Sequence, residues 1–192
     1  VFSWILASDK NETFQEAYQV IISSQGKKLW DSGKVKSDNS IAVAYEGTLT
    51  PDTEYTWTLQ VWDNHGSASK KATSKWQTGI RTNDWKAQWI TASETPVPTY
   101  FRKAEILSGN IRKATAYITS HGIYEAFING KRVGNYELTP GWTTYLKRLQ
   151  YQAYDVTSLL QKGKNMIAAT VSPGWYSGGM NTGDPKHRYK YG

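Results

Sequence analysis

Two glycine-flanked aromatic loops hold the side chains of this chain best suited to chemistry on a ligand. Trp142 sits in Pro140-Gly141-Trp142-Thr143, and Trp175 with Tyr176 sits in Pro173-Gly174-Trp175-Tyr176-Ser177-Gly178. A sugar ring presents a C–H face that stacks on an indole, and a nearby amide such as Asn181 can take its hydroxyls. The same rings could instead plug the open end of a β-sandwich or pack against a neighbouring domain, and both readings stay open at this point.

Bond-breaking chemistry has a weaker footing. A glycosidase needs two carboxyl groups across a sugar, roughly 5–9.5 Å apart depending on stereochemical outcome. The 16 Asp and Glu residues lie mostly beside turn residues, as Asp31, Asp52, Asp63 and Asp184 do, and none is spaced to aim with another into one pocket. Asp155 precedes the short helical pattern Val156–Gln161, so its expected role is to cap that turn rather than to bind calcium or sugar. His65, His121 and His187 are far apart in sequence and fit no metal-ligand spacing; His121, before Gly122, reads as a turn residue. No phosphate-binding glycine loop and no nucleophile-elbow motif is present.

The chain has no cysteine, which removes disulfides, thiolate catalysis and cysteine metal sites. The lack of cysteine does not exclude export, and localisation is not read from these residues; a periplasmic or secreted place is suspected only for a longer parent protein. No apolar run is long enough to span a bilayer. The formal net charge of +7, from 23 basic against 16 acidic residues, is scattered in short clusters such as Lys27-Lys28, Lys70-Lys71 and Lys147-Arg148. A nucleic-acid binder would gather the excess into a stripe, so solvated basic turns are expected and nucleic acid is not a partner.

Placing the aromatic loops requires β structure. With 192 residues, 39% hydrophobic, the chain can build two β-rich units of roughly 100 residues each. In the first part, Ala17–Ser23 and Ser40–Tyr45 read as strands, with Leu29-Trp30 between them leading into the turn signal Asp31-Ser32-Gly33. Tyr55, Trp57, Leu59 and Val61 fall on one face of the next strand at period two. Trp76 to Gly79 closes the series. Arg81 to Gln88 reads as a polar connector, and Trp89-Ile90-Thr91 as the start of a new strand. A second β-series follows: Tyr100–Ile106, Lys113–Thr119, Ile123–Ile128 and Met166–Val171. Ala114, Ala116 and Ile118 share one face, and Asn129-Gly130 is a hairpin turn that wants positive φ at both positions. Gly163 and Asn165 are expected to end the helical turn, and the segment from Ser172 onward to be loop.

The pattern Leu49, Pro51, Thr53, Tyr55 resembles the tyrosine corner of fibronectin type III domains. Asn129-Gly130, Pro140 to Thr143, Tyr145, Tyr151, Tyr154 to Thr157, Gly163, Asn165 and Gly174 to Tyr176 follow, in order, the pattern of the N-terminal β-sandwich of bacterial α-L-rhamnosidases (glycoside hydrolase family 78). The resemblance implies an all-β chain of two β-sandwich domains. Residues 1–80 would be fibronectin type III or immunoglobulin-like, 81–88 a linker, and 89–192 a jelly-roll (galactose-binding-like) domain truncated at its C-terminal side. It further implies a non-catalytic N-terminal fragment of an inverting glycosidase that removes terminal α-L-rhamnose. The acid and base would lie in a downstream (α/α)6 barrel of the same polypeptide, with no counterpart here. No cofactor is required, although in some relatives the sandwich binds rhamnose with calcium. A rhamnose-containing glycan would then meet Trp142, Trp175, Tyr176 and Asn181. The alternative is a stand-alone module for adhesion or protein interaction.

Overall fold

The computed structural model describes residues 1–92 and 98–177. The chain divides into two compact units, Val1–Ala87 and the part from Gln88 onward. Among the described residues the regular structure of both is almost wholly strand.

The first unit has strands β1 (Gln15–Ser24), β2 (Lys27–Asp31), β3 (Val35–Lys36), β4 (Glu54–Asp63) and β5 (Ala72–Gln77). They form one antiparallel sheet in the order β2-β1-β4-β5, with β3 also paired to β1. β1 and β4 form because β-branched and aromatic residues alternate with polar ones, placing Val20, Ile22, Tyr55 and Leu59 in one buried cluster. Trp57, Val61 and Trp76 pack against it. Phe2 stacks on Trp57 at 5.0 Å, and Tyr55 on Trp76 at 5.1 Å. The expected tyrosine corner is present: the Thr50 N–H donates to the Tyr55 hydroxyl at 2.8 Å. After β4 the chain turns through Gly66, and the Asp63 carboxylate accepts the N–H groups of His65 and Ser67.

One sequence expectation fails here. Ser40–Tyr45 is not a strand; only Val43 pairs, in a bridge to Phe2. Ala42 takes φ 54°, which breaks the extended course. That bridge, with Trp4 N–H bonded to Ser40 O, lays the N-terminal segment along residues 40–43.

The second unit has β6 (Thr99–Leu107), β7 (Thr115–Ile118), β8 (Ile123–Ile128), β9 (Lys131–Arg132), β10 (Gln152–Asp155), a 3-10 turn (Thr157–Leu159), β11 (Gly163–Ser172) and a single helical turn α1 (Gly174–Ser177). β6-β11-β8-β9 make one sheet, and β10-β7 a second. The core lies between them: Tyr124, Ala126 and Ile128 of β8 meet Tyr154 and Val156, with Ala114, Ala116 and Ile118 on the side of β7. Asn129 and Gly130 take φ 52° and 79°, the hairpin geometry that their types demand.

Three further expectations are corrected. Trp89-Ile90-Thr91 forms no strand, and both Trp89 and Ile90 are exposed. The segment read as loop after Ser172 winds, at Gly174–Ser177, into one helical turn closed by Tyr176 N–H on Pro173 O. Asn165 does not end a helix; it lies inside β11, 1% exposed.

Candidate functional site

Three of the four residues singled out in the sequence are brought near one another. Trp142 and Trp175 lie nearly parallel, 11° apart, with ring centres separated by 6.4 Å. Tyr176 stacks on His121 at 4.4 Å and meets the edge of Tyr145 at 5.4 Å. His121 stacks in turn on Trp89, also at 4.4 Å. Trp89, His121 and Tyr145 are the members that sequence reasoning missed. Each was read by its immediate neighbours, whereas the assembly joins positions far apart in the chain. The fourth residue, Asn181, lies outside the described residues.

The loops are set by backbone geometry. Thr139 bridges to Tyr124, whose N–H donates to Thr139 O at 2.8 Å, while the Thr139 hydroxyl donates back to Tyr124 O at 2.9 Å. From that anchor the chain passes through Pro140 and Gly141 (φ 97°) to Trp142, which is 54% exposed. Trp175 and Tyr176 are fixed by the close seat of Ser172-Pro173-Gly174 on His121-Gly122-Ile123. A Cβ on Gly174 would come within 2.5 Å of Ile123 Cγ1. Two near-parallel indoles, one well exposed, present π faces suited to C–H-rich surfaces.

Beneath the loops runs a buried hydroxyl network. The Tyr124 hydroxyl donates to Gln152 Oε1 at 2.9 Å and lies 3.2 Å from the Tyr154 hydroxyl, and Gln152 Nε2 donates to Pro140 O at 3.2 Å. Burial and the neighbouring Tyr154 push the Tyr124 phenol well above its ordinary range, so it stays protonated and can donate.

Burial holds His121 below its ordinary pKa of 6.5, because the desolvated ring resists charge. For a base whose folded pKa is depressed, the contribution to stability is whole above the unfolded value. It is lost as pH falls through 6.5 towards the lower folded value. An NMR titration of His121 should therefore give a midpoint below 6.5, and Tyr176→Leu, which strips one ring face, should raise it.

Several of the described carboxylates are engaged in structural contacts. Asp155 accepts the Thr157 N–H at 2.9 Å, which lowers its pKa, but it is not the N-cap that the sequence led us to expect. Val156 takes the N-cap position instead, and the Asp155 carboxylate closes an Asx turn onto the first residue of the 3-10 turn. Glu125 and Glu137 come together on Arg132, at 3.1 and 2.8 Å. The Arg132 hydrogen bond holds Glu137 below its usual range and hence ionised, the opposite of what a general acid needs. Among the described residues no group of three or more His, Asp or Glu is placed together as a metal-binding cluster. No helix among them is long and apolar enough to cross a membrane.

Comparison with known proteins places this architecture. Residues 109–192 match the family described as alpha-L-rhamnosidase N-terminal domain, and residues 1–82 the Rha78A-like, N-terminal immunoglobulin domain. An alpha-L-rhamnosidase of Formosa agariphila is 34% identical over 198 residues, covering 92% of this chain and 21% of its own length. One from an Alteromonas species is 35% identical, covering 92% and 22%. The solved alpha-L-rhamnosidase from Dictyoglumus thermophilum superposes with a TM-score of 0.85 at 35% identity, covering 91% of this chain and 23% of that one. The chain thus spans about a fifth of the length of the relatives it matches.

Proposed function

Residues 1–82 belong to the Rha78A-like N-terminal immunoglobulin domains and residues 109–192 to the alpha-L-rhamnosidase N-terminal domains, and on that premise we propose that this chain is the non-catalytic N-terminal part of an α-L-rhamnosidase. The parent would cleave terminal α-L-rhamnose in a downstream catalytic domain of the same polypeptide. This part would act as scaffold and as a capture surface for a rhamnose-containing glycan. The observation that carries the reading is the match of both units to N-terminal domains over about a fifth of each relative's length.

The Trp142–Trp175 pair supports sugar capture, since parallel indoles can stack on a pyranose face without requiring charge. In the same reading the first unit is a fibronectin-type-III-like variant of the immunoglobulin sandwich, supported by the Tyr55 corner. The second is jelly-roll-like, supported by the sheet β6-β11-β8-β9 lying across the core from β10-β7. No cofactor enters the proposed role.

Titration with L-rhamnose, with and without calcium, followed by tryptophan fluorescence, tests capture. The expected response saturates in the millimolar range, weakens at least tenfold in Trp175→Ala, and survives Trp57→Phe, which lies in the other unit. Silence at millimolar sugar would remove capture and leave scaffolding. The 192-residue chain should not hydrolyse an aryl α-L-rhamnoside, and measurable turnover would overturn the non-catalytic assignment.

A further inference from the structure

A hollow whose lining includes neither Trp142 nor Trp175 lies between the outer edge of β10 and the loop that precedes Trp142. Its volume is about 430 Å³, within the range of small-ligand sites. Tyr136, Glu137, Leu138 and Pro140 line one side; Gln152 and Ala153 line the other.

The strand edge gives this hollow a hydrogen-bonding wall. Val156 N–H bonds to Ala114 O, and the register pairs Tyr154 with Ala116 and Gln152 with Ile118. In an antiparallel ladder, bonded pairs recur every second residue. Gln152 and Tyr154 therefore direct their backbone groups to β7, and Ala153 turns its N–H and C=O to the opposite edge, towards the hollow. Glu137 adds a carboxylate kept ionised by Arg132, whose guanidinium donates to both carboxylate oxygens and to Tyr136 O. The hollow thus offers a carboxylate and a backbone carbonyl as acceptors and a backbone N–H as donor.

The loop wall is preorganised but not packed. Arg132 ties it at Tyr136 and Glu137, Tyr124 ties it at Thr139, and Gln152 ties it at Pro140. Leu138 takes φ 55°, a conformation that costs an ordinary side chain strain, yet its side chain is 56% exposed. Tyr136 is 62% exposed. Apolar surface held rigidly beside unpaired backbone groups is the composition of a site for a neutral polyol ring, with C–H faces on Tyr136, Leu138 and Pro140 and hydroxyls on Ala153 and Glu137. An extended peptide is disfavoured, because β10 is only four residues long.

We propose that the hollow between Ala153 on β10 and the loop Tyr136–Pro140 binds a neutral pyranose, as a second carbohydrate site separate from Trp142 and Trp175. This rests on the reading of the chain as a glycan-handling module. The test is saturation-transfer NMR with L-rhamnose on the full 192-residue chain in the Trp175→Ala background, where the first site is disabled. Transfer should persist in Trp175→Ala, fall at least tenfold when Ala153→Trp fills the hollow, and fall three- to tenfold in the shape-preserving Glu137→Gln. Persistence of the signal in both double variants, or its complete loss in Trp175→Ala alone, would overturn the second site. Equal signals in the wild type and Trp175→Ala would instead count against the tryptophan pair and leave the hollow standing.

Discussion

Replacing Gly122 by alanine is expected to cost about 3 kcal/mol or more and to abolish the fluorescence response to sugar. Two effects add at this position. Gly122 has φ 104°, where a side chain is strained whatever the space around it. A Cβ there would also collide with the backbone oxygen of Ser172 and crowd that of Pro173 at 3.0 Å. Those atoms are main chain and cannot rotate aside. Relief requires Ser172 and Pro173 to move, and they carry α1 with Trp175 and Tyr176. The midpoint of urea unfolding should fall, and the surviving folded protein should lack the His121–Tyr176 stack. A variant of wild-type stability with intact sugar response would show that the seat of α1 on Gly122 is not what places the aromatic loop.

The second large effect is expected at Asn165. Its side chain donates to Gln161 O at 2.7 Å and Gly163 O at 3.0 Å, and accepts from Gln161 N–H and Asn129 Nδ2, each at 2.9 Å. All of its capacity is used in a buried place. Asn165→Ala removes all four bonds at once and leaves the backbone oxygens and N–H they joined without their buried partner, at a cost of about 3 kcal/mol. Asn129→Gly retains the positive φ of the turn and removes only the amide, so about 1–2 kcal/mol is expected there. The double variant should cost less than the sum, since the two share a bond. Strict additivity in denaturation experiments would contradict the network.

These two positions also mark what could and could not be read from the sequence. Asn129-Gly130 was legible because its demand is local: two residues that tolerate positive φ between alternating strands. The Tyr55 corner and the single face shared by Ala114, Ala116 and Ile118 were legible for the same reason. Asn165 was misread because glycine and asparagine close together after a short helical pattern are also a helix-stop signal, whereas its bonds to Gln161, Gly163 and the distant Asn129 make it a core residue. Ser40–Tyr45 has strand composition, but a strand needs a neighbour along its length, and only Val43 finds one. The aromatic loops were recognised by composition, so Trp142, Trp175 and Tyr176 could be named. Their companions Trp89, His121 and Tyr145 carry no local mark, because stacking is created by the fold. The hollow beside β10 left no signal either, since its polar wall is main chain.

The hairpin at Asn129 has a chemical corollary. In a free peptide, asparagine followed by glycine readily loses ammonia, because the glycine nitrogen swings onto the side-chain carbonyl carbon and closes a succinimide. Here the carboxamide is tethered at both ends: Nδ2 donates to Leu159 O and Asn165 Oδ1, and Oδ1 accepts from Met166 N–H, each at 2.9 Å. The group is held away from the attacking nitrogen for as long as β11 stays in register. The most age-prone dipeptide of the chain is thus shielded by the folded state itself, and isoaspartate at this position becomes a chemical clock for time spent unfolded.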